Sequence, residues 1–474
     1  MAANYLHGVE TIELNIGPRP ISVVKSAVIG LVGVAPKGPT QTLTLVQSQA
    51  DAAQFGALVP GFSIPRALES IQKQGSGTIL VINVFNESTN AVSVTDEVVT
   101  VEDGAFKLAH NALTALAITV KTSAGAALAL GTDVTIDDFG NGAIVPGGAV
   151  AEGDDIKVSY KWFDPTTVNA AQIIGAISGS NVRTGSKLFE ESFQSFGFNP
   201  RLLIAPGHIT ANAIATEFIA LADKYRGHAI IDAPIGKTPT EVIIGRGPAG
   251  TINFNTSSKR AILCYPHLKA YDPATDSNIN VPYSSFMAGV IAATDNADGY
   301  WFSPSNREIK GIVGLERVIT SAVNDASTEA NLLNEKGIVT TFNSFGSGLR
   351  TWGNRSAAFP SSTAPSNFIS VQRTADILHE SVELAMLQFI DIPISNALID
   401  SIRDSVNSFI NVLIQRGAII DGSCTYDPSK NPSTVTGAGQ LIFDVTFMPP
   451  TPAERITFES FIDINLLASL GTNN

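Results

Sequence analysis

AVIGLVGVA, residues Ala27–Ala35, and TILVINVF, residues Thr78–Phe85, are continuous apolar runs bounded by glycine and proline. Runs of that length without polar alternation suit strands buried on both faces. Between them SIPRALESIQKQG (Ser63–Gly75) carries helical spacing, so the order is strand, helix, strand, the unit of an α/β layer. The same texture returns in RLLIAPG (Arg201–Gly207), a helical stretch near Ala213–Tyr225 and HAIIDAP (His228–Pro234).

The stretch between these two parts differs. From about Asn86 to Asp164 the chain shows short Val, Thr and Ile runs (VSVTDEVVTV, ALAITVKT, DVTIDD, DIKVSYKWF) separated by Gly-rich turns. That pattern predicts a small β-sandwich or barrel inserted into an α/β domain. Glu87–Asp164 holds twelve acidic and four basic residues, −8 of the chain's net −13, as expected of a solvated appendage.

Two amphipathic helices follow. Val371, Ala375, Leu378, Val382, Ala385 and Phe389 share one face, with Asp376, Glu380 and Glu383 opposite, and Pro393 bars continuation. Leu398, Ile402, Val406, Phe409 and Leu413 form a second stripe, closed by Gly417 at a C-cap position. A strand at Ala418–Tyr426, a polar loop and a strand with Leu441, Phe443, Val445 and Phe447 facing one way come next.

Both ends look like lone strands. Ile12, Leu14 and Ile16 alternate with Thr11, Glu13 and Asn15; past Pro449, Pro450 and Pro452, the residues Ile456, Phe458, Ile462, Ile464 and Leu466 share a face. A strand cannot satisfy its own backbone groups, so each end must pair either within the monomer or on a neighbouring copy.

At 474 residues the chain exceeds one hydrophobic core and should hold about two to four domains. Hydrophobic residues make up 44% and charged residues 15%, so much of the surface is expected to be covered by copies or partners. The net charge of −13 argues against a nucleic-acid binder. Cys264 and Cys424 stand in no metal-ligand spacing and read as buried thiols. The N-terminus lacks a secretory pattern, and the longest apolar runs are about half a bilayer span, so a cytoplasmic chain without membrane insertion is expected.

Chemical motifs fail their context tests. GRGPAG (Gly245–Gly250) matches G-x-G-x-x-G but leads into loop and strand rather than into a helix. IGKTPT (Ile235–Thr240) has Ile231 where a phosphate loop needs its first glycine, and its proline argues against a following helix. His208, His228 and His267 lack the helical pair of a zinc protease and read as ordinary hydrogen-bonded side chains. FGSGLRTWG (Phe345–Gly353) lacks the nucleophile-elbow frame. Asp137, Asp138, Asn141, Asp154 and Asp155 could gather around a hard cation or serve as solvated turns. No catalytic, metal or cofactor residue can be nominated, and an enzyme or a monomeric binding protein remain the competing classes.

Several blocks resemble, in order, the tail sheath proteins of contractile bacteriophages, a family shared with R-type bacteriocins and other contractile injection systems. They are YLHGVETIE, AVIGLVGVAPKGP, FGFNPRLLIAPG, SSKRAILCYPHL, VPYSSFMAGVIAATDNADGYWFSPSN, LLNEKGIVTTF, WGNRS (Trp352–Ser356), RTADILHESVE and PAERITF. The resemblance covers both ends and most of the middle; residues 86–164 match only in position, where sheath proteins carry variable outward-facing insertions. It implies a multidomain α/β (α+β) sheath fold: an N-terminal arm (1–25) joined to an inner domain, a middle α/β domain (26–86 and 166–350), an inserted all-β outer domain (87–165), a C-terminal inner domain (351–454) and a C-terminal arm (455–474).

What the resemblance further implies is a structural, non-enzymatic subunit without cofactors, polymerised as stacked rings around an inner tube and contracting without ATP. The family's subtilisin-like label implies no protease here. Arms at Val9–Val24 (Ile12, Leu14, Ile16) and Arg455–Leu470 (Ile456, Phe458, Ile462, Ile464) would add to a neighbour's hairpin (Ile420, Leu441, Phe443, Val445). Partners would be further copies, the tail tube, the baseplate and the tail terminator, in the virion and, during assembly, in the host cytoplasm. Residues 351–474 hold six basic and twelve acidic side chains, so the tube should present basic patches.

Overall fold

A computed structural model describes residues 20–469 apart from 76, 112–117, 248, 345 and 347. Ile12, Leu14 and Ile16 therefore lie outside the described residues.

The first apolar run is β1 (Val28–Gly33), followed by β2 (Leu43–Val46), helix α1 (Ser63–Gln74) and β3 (Thr78–Asn83). β1 and β3 pair in parallel, Val28 opposite Thr78 through Gly33 opposite Asn83, with α1 as the crossover. The inserted segment holds β4 (Ala91–Thr100), β5 (Ala105–Lys107), β6 (Thr119–Thr122), β7 (Ala127–Leu128), β8 (Val134–Ile136), β9 (Asn141–Ile144) and β10 (Asp155–Phe163). They form two sheets, β4-β10-β6-β7 and β5-β9-β8. One core serves both sheets, with Phe106, Val120, Val134, Ile156, Val158 and Tyr160 inside, which is the economy of a small two-layer β unit.

Returning to the main layer, β11 (Leu202–Ile204), helix α2 (Asn212–Lys224), β12 (His228–Asp232), the short helix α3 (Pro239–Ile244) and β13 (Ala261–Cys264) follow. A small sheet of β14 (Leu268–Asp272), β15 (Ser277–Val281) and β16 (Gly314–Leu315) surrounds helix α4 (Tyr283–Ala297) in sequence. β17 (Ile338–Ser344) and β18 (Gly348–Trp352) complete the layer. The eight-stranded order is β18-β17-β13-β12-β11-β1-β3-β2, parallel from β17 to β3 with antiparallel edges.

Alternate residues of the central strands feed two cores. Val28, Val32, Leu80, Ile82, Leu203 and Leu263 meet Phe218 of α2 on one face. Ile29, Leu31, Ile79, Val81, Ile204 and Ile262 meet Leu68 and Ile71 of α1 and Phe286 of α4 on the other. Burial of both faces is why these strands carry no polar alternation.

Pro239 does begin a helix, against the sequence-based expectation. It occupies the first position of α3, where no amide is needed, and Thr238 and Glu241 form a reciprocal capping box. GRGPAG thus starts at the C-cap of a helix. Its Arg246 donates to the carbonyls of Lys336, Thr256, Ala357 and Phe359 and braces three backbone segments.

The last part contains α5 (Ile369–Met386), a 3-10 turn at Leu387–Phe389 and α6 (Asn396–Gln415). Gly417, at φ +77°, and Ala418 donate to Ile414 and Leu413 and stop α6 as a Schellman motif. β19 (Asp421–Tyr426) and β20 (Phe443–Met448) form an antiparallel hairpin. Leu378, Val406, Phe409, Ile410 and Leu413 pack with Cys424, and Phe443, Val445 and Phe447 close the cluster. Ile21 and Val23 also pack there, and the Val24 amide donates to Ser381 at 3.2 Å. The expected arm through Val24 is therefore shorter: its last residues belong to the chain's own core.

Candidate assembly interface

The β19–β20 hairpin has two unlike edges. The Cys424 N–H donates to the Asn407 side-chain oxygen at 2.7 Å, and the Asn407 amide returns a bond to the Cys424 carbonyl at 2.9 Å. Asn407 of α6 thus imitates a neighbouring strand and occupies the outer edge of β19. Cys424 lies opposite Val445, so in an antiparallel ladder the backbone groups of Val445 point outward from β20, as do those of Phe443 and Phe447 two residues away. The opposite parity agrees: Ile442 points inward, both its amide and carbonyl bonded to Asn431 in the connecting loop at 2.8 Å. Among the described residues, the Phe443, Val445 and Phe447 backbones have no partner outside the hairpin. One edge is covered and the other is open.

Sequence reasoning placed Ile420 and Leu441 in this hairpin. The strands begin one and two residues later, at Asp421 and Phe443. Ala418 and Ile419 are buried while Ile420 is exposed, because the chain leaves the Gly417 turn into the core before it straightens. Phe443 and Val445 stand in β20 with their side chains against α5 and α6.

Beyond β20 the chain crosses Pro449–Pro452 and reaches Glu454, whose carboxylate is gripped by both the Nε and Nη2 atoms of Arg355. Arg355 is itself held: Nη1 donates to Asn367 at 2.7 Å, and the guanidinium stacks 3.8 Å from the Phe368 ring centre and 4.6 Å from that of Phe359. WGNRS and PAERITF, distant in sequence, meet at this pair.

Past Glu454 the chain turns toward solvent. Ile456, Phe458, Phe461 and Ile462 are 70, 89, 85 and 105% exposed, and among the described residues, 455–463 make no backbone bond to the body. The expected strand is absent in the single chain, since nothing there completes its hydrogen bonds; Ile464 instead opens a 3-10 turn, Ile464–Ser469. A second exposed apolar run was not foreseen: Leu387, Ile390, Ile392 and Ile394 between α5 and α6. Its sequence signal is the alternation of Ile390, Ile392 and Ile394 with Asp391 and Pro393.

The polar face of α5, opposite its core stripe, is paired with arginines rather than left bare. Asp376 pairs with Arg260, Glu380 with Arg201 and Glu383 with Arg226, while Arg373 grips Asp295 of α4 at 2.5 and 2.7 Å. Burial pulls Arg201 down to about 10, with the nearby carboxylates opposing it. This seam fixes the C-terminal helices to the α/β layer. It also turns some of the acidic charge of residues 351–474 toward the body.

Ser284, His267 and Asp232 come together, which raises the question of nucleophilic chemistry. The Ser284 hydroxyl and amide both donate to Asp232, at 2.5 and 2.7 Å, while the His267 Nε2 bonds the Ala233 carbonyl at 2.9 Å. No hydrogen bond joins the imidazole to the serine, and all three residues are buried. Burial pushes the Asp232 carboxyl up, His267 and Ser284 opposing. The group is the N-terminal cap of α4, which lacks a cap of its own.

Other candidates disperse. Asp137 bonds Phe139 and Asn141, Asp154 bonds the Ala151 amide, Asp155 bonds Thr100 and Asp138 faces Lys37, so these acids shape turns. No cluster of three metal-ligating side chains occurs among the described residues, and no helix among them is long and apolar enough to cross a membrane. Cys264 and Cys424 are free and buried. His228 is buried with its Nε2 unpartnered, contrary to the ordinary hydrogen bonding expected of it.

Residues 168–357 match the family model described as the phage tail sheath protein central domain, and residues 361–463 the phage tail sheath C-terminal domain. The tail sheath protein of Burkholderia phage BcepMu is 45% identical over the whole of both chains, and that of Escherichia phage P2 is 26% identical over 99% of each. Among solved structures, the contracted sheath of an extracellular contractile injection system (PVC) aligns with a TM-score of 0.60 at 16% identity, covering 98% of this chain and all of that one. The contracted helical sheath of the anti-feeding prophage aligns equally, at 17% identity over 97% and 100%.

Proposed function

Because the chain belongs to the phage tail sheath protein family and is a non-enzymatic structural subunit of a contractile tail sheath, we propose that exchanged terminal strands hold its helical polymer together. Residues 455–463 leave one subunit and add to the open β20 edge of another, satisfying Phe443, Val445 and Phe447. The N-terminal segment ahead of Ile21 adds outside that strand, since Asn407 covers the alternative edge. The carrying observation is the tail itself: alternating apolar side chains, almost fully exposed and without backbone partners, beside a hairpin that lacks one strand.

The ion-pair seam along α5 makes the α/β layer and the inner domain one body. Contraction is then a rotation of these bodies about flexible arms, driven by new contacts between bodies and requiring no nucleotide. The inner surface faces a tail tube bearing basic patches; baseplate and terminator proteins cap the ends.

Electron microscopy of the purified chain beside a version lacking Arg455–Asn474 tests the reading. Tubes or ring stacks from the full chain and compact folded particles from the truncation are expected. Tubes from both would refute it, as would a full chain that stays monomeric even with added tube protein.

A further inference from the structure

A strand-exchange polymer has an internal competitor. If residues 455–463 folded back on their own β20, the pairing would be intramolecular, favoured by an effective concentration of about millimolar. Chain length permits it: six residues, Pro449–Glu454, separate β20 from the tail, and hairpin-like connections of that order are ordinary. The structure leads the chain elsewhere. Pro450, Thr451 and Pro452 line a cavity with Trp301, Phe302 and Arg307, and Glu454 is then seized by Arg355, on the α/β side of the molecule.

We propose that the Arg355–Glu454 pair holds the tail off its own hairpin and so reserves the β20 edge for residues 455–463 of a second copy. The inference rests on the strand-exchange reading above. Arg355 suits the task because two aromatic faces and Asn367 fix its guanidinium before Glu454 arrives. A bidentate pair adds direction as well as energy, setting where the tail departs. The pair acts by position: neither residue belongs to the strands that exchange.

Charge reversal tests this. Arg355→Glu and Glu454→Arg are made singly and together, with amide exchange measured on dilute monomer and tube formation on concentrated protein, seeded by the tail tube where the native chain needs it. Each single reversal should give a folded monomer that loses tubes while amides at 443–447 and 455–463 gain protection. The double reversal should restore both behaviours. Because Glu454 is 43% exposed, its variant stays informative even if Arg355→Glu fails to fold. Normal tubes from Glu454→Arg, or lost tubes without protection of the tail, would overturn the proposal while leaving strand exchange standing. Tubes from the truncation lacking Arg455–Asn474 would instead remove the strand-exchange reading itself.

Discussion

Replacing Phe458 by alanine separates the stability of the subunit from that of the polymer. In the single chain the side chain is 89% exposed, so its loss should change unfolding free energy by no more than about 0.5 kcal/mol. Once the tail lies against a neighbour, the ring becomes buried, worth about 2 kcal/mol at the usual value for a large apolar side chain. Each subunit donates one tail, so this loss falls once on every subunit added. At about 1.4 kcal/mol per factor of ten, the concentration needed for assembly should rise about 30-fold. Sedimentation of polymer across a concentration series gives that value, and denaturant unfolding of dilute protein gives the subunit's stability. A lowered unfolding midpoint with an unchanged assembly threshold would refute the reasoning, because it would place Phe458 inside its own monomer.

Asp295→Ala leaves Arg373 buried without its partner, both being under 5% exposed, and should cost about 3–5 kcal/mol in denaturant unfolding. Asp404→Ala, which breaks an exposed pair with Arg403, should leave the unfolding midpoint close to that of the parent chain in the same assay. Asn407→Ala strips Cys424 of both backbone partners and should cost about 1–3 kcal/mol; amide exchange at Cys424 should accelerate while that of Asp444 and Thr446, which face β19, stays slow. His228 is buried and held neutral, its pKa pushed well below the usual value by burial and then by Arg260 and Arg373. The unfolded chain therefore binds a proton that the folded chain refuses, so this contribution is intact above about pH 6.5 and is lost below it, by up to about 1.4 kcal/mol per pH unit. His228→Asn should flatten that slope between pH 7 and 5 in equilibrium unfolding.

Much of this protein is written in local periodicity. The unbroken apolar runs at Ala27–Ala35 and Thr78–Phe85 declare strands buried on both faces, and the stripes through Leu378 and Leu413 declare helices, because burial and element period are properties of neighbouring residues. Gly417 marks its helix end for the same reason. The tail's apolar alternation is equally visible, but a strand without a partner stays coil in the single chain. Pairings across the fold are different in kind. Asp376, Glu380 and Glu383 read only as the polar side of a helix until Arg260, Arg201 and Arg226 are found paired with them. Asn407 is one polar helix residue among several until it is found on the edge of β19, and Glu454 is one carboxylate until Arg355, 99 residues earlier, closes on it. No spacing rule joins residues so far apart. Only the tertiary structure decides which backbone edge is covered, which is open, and where the tail is released.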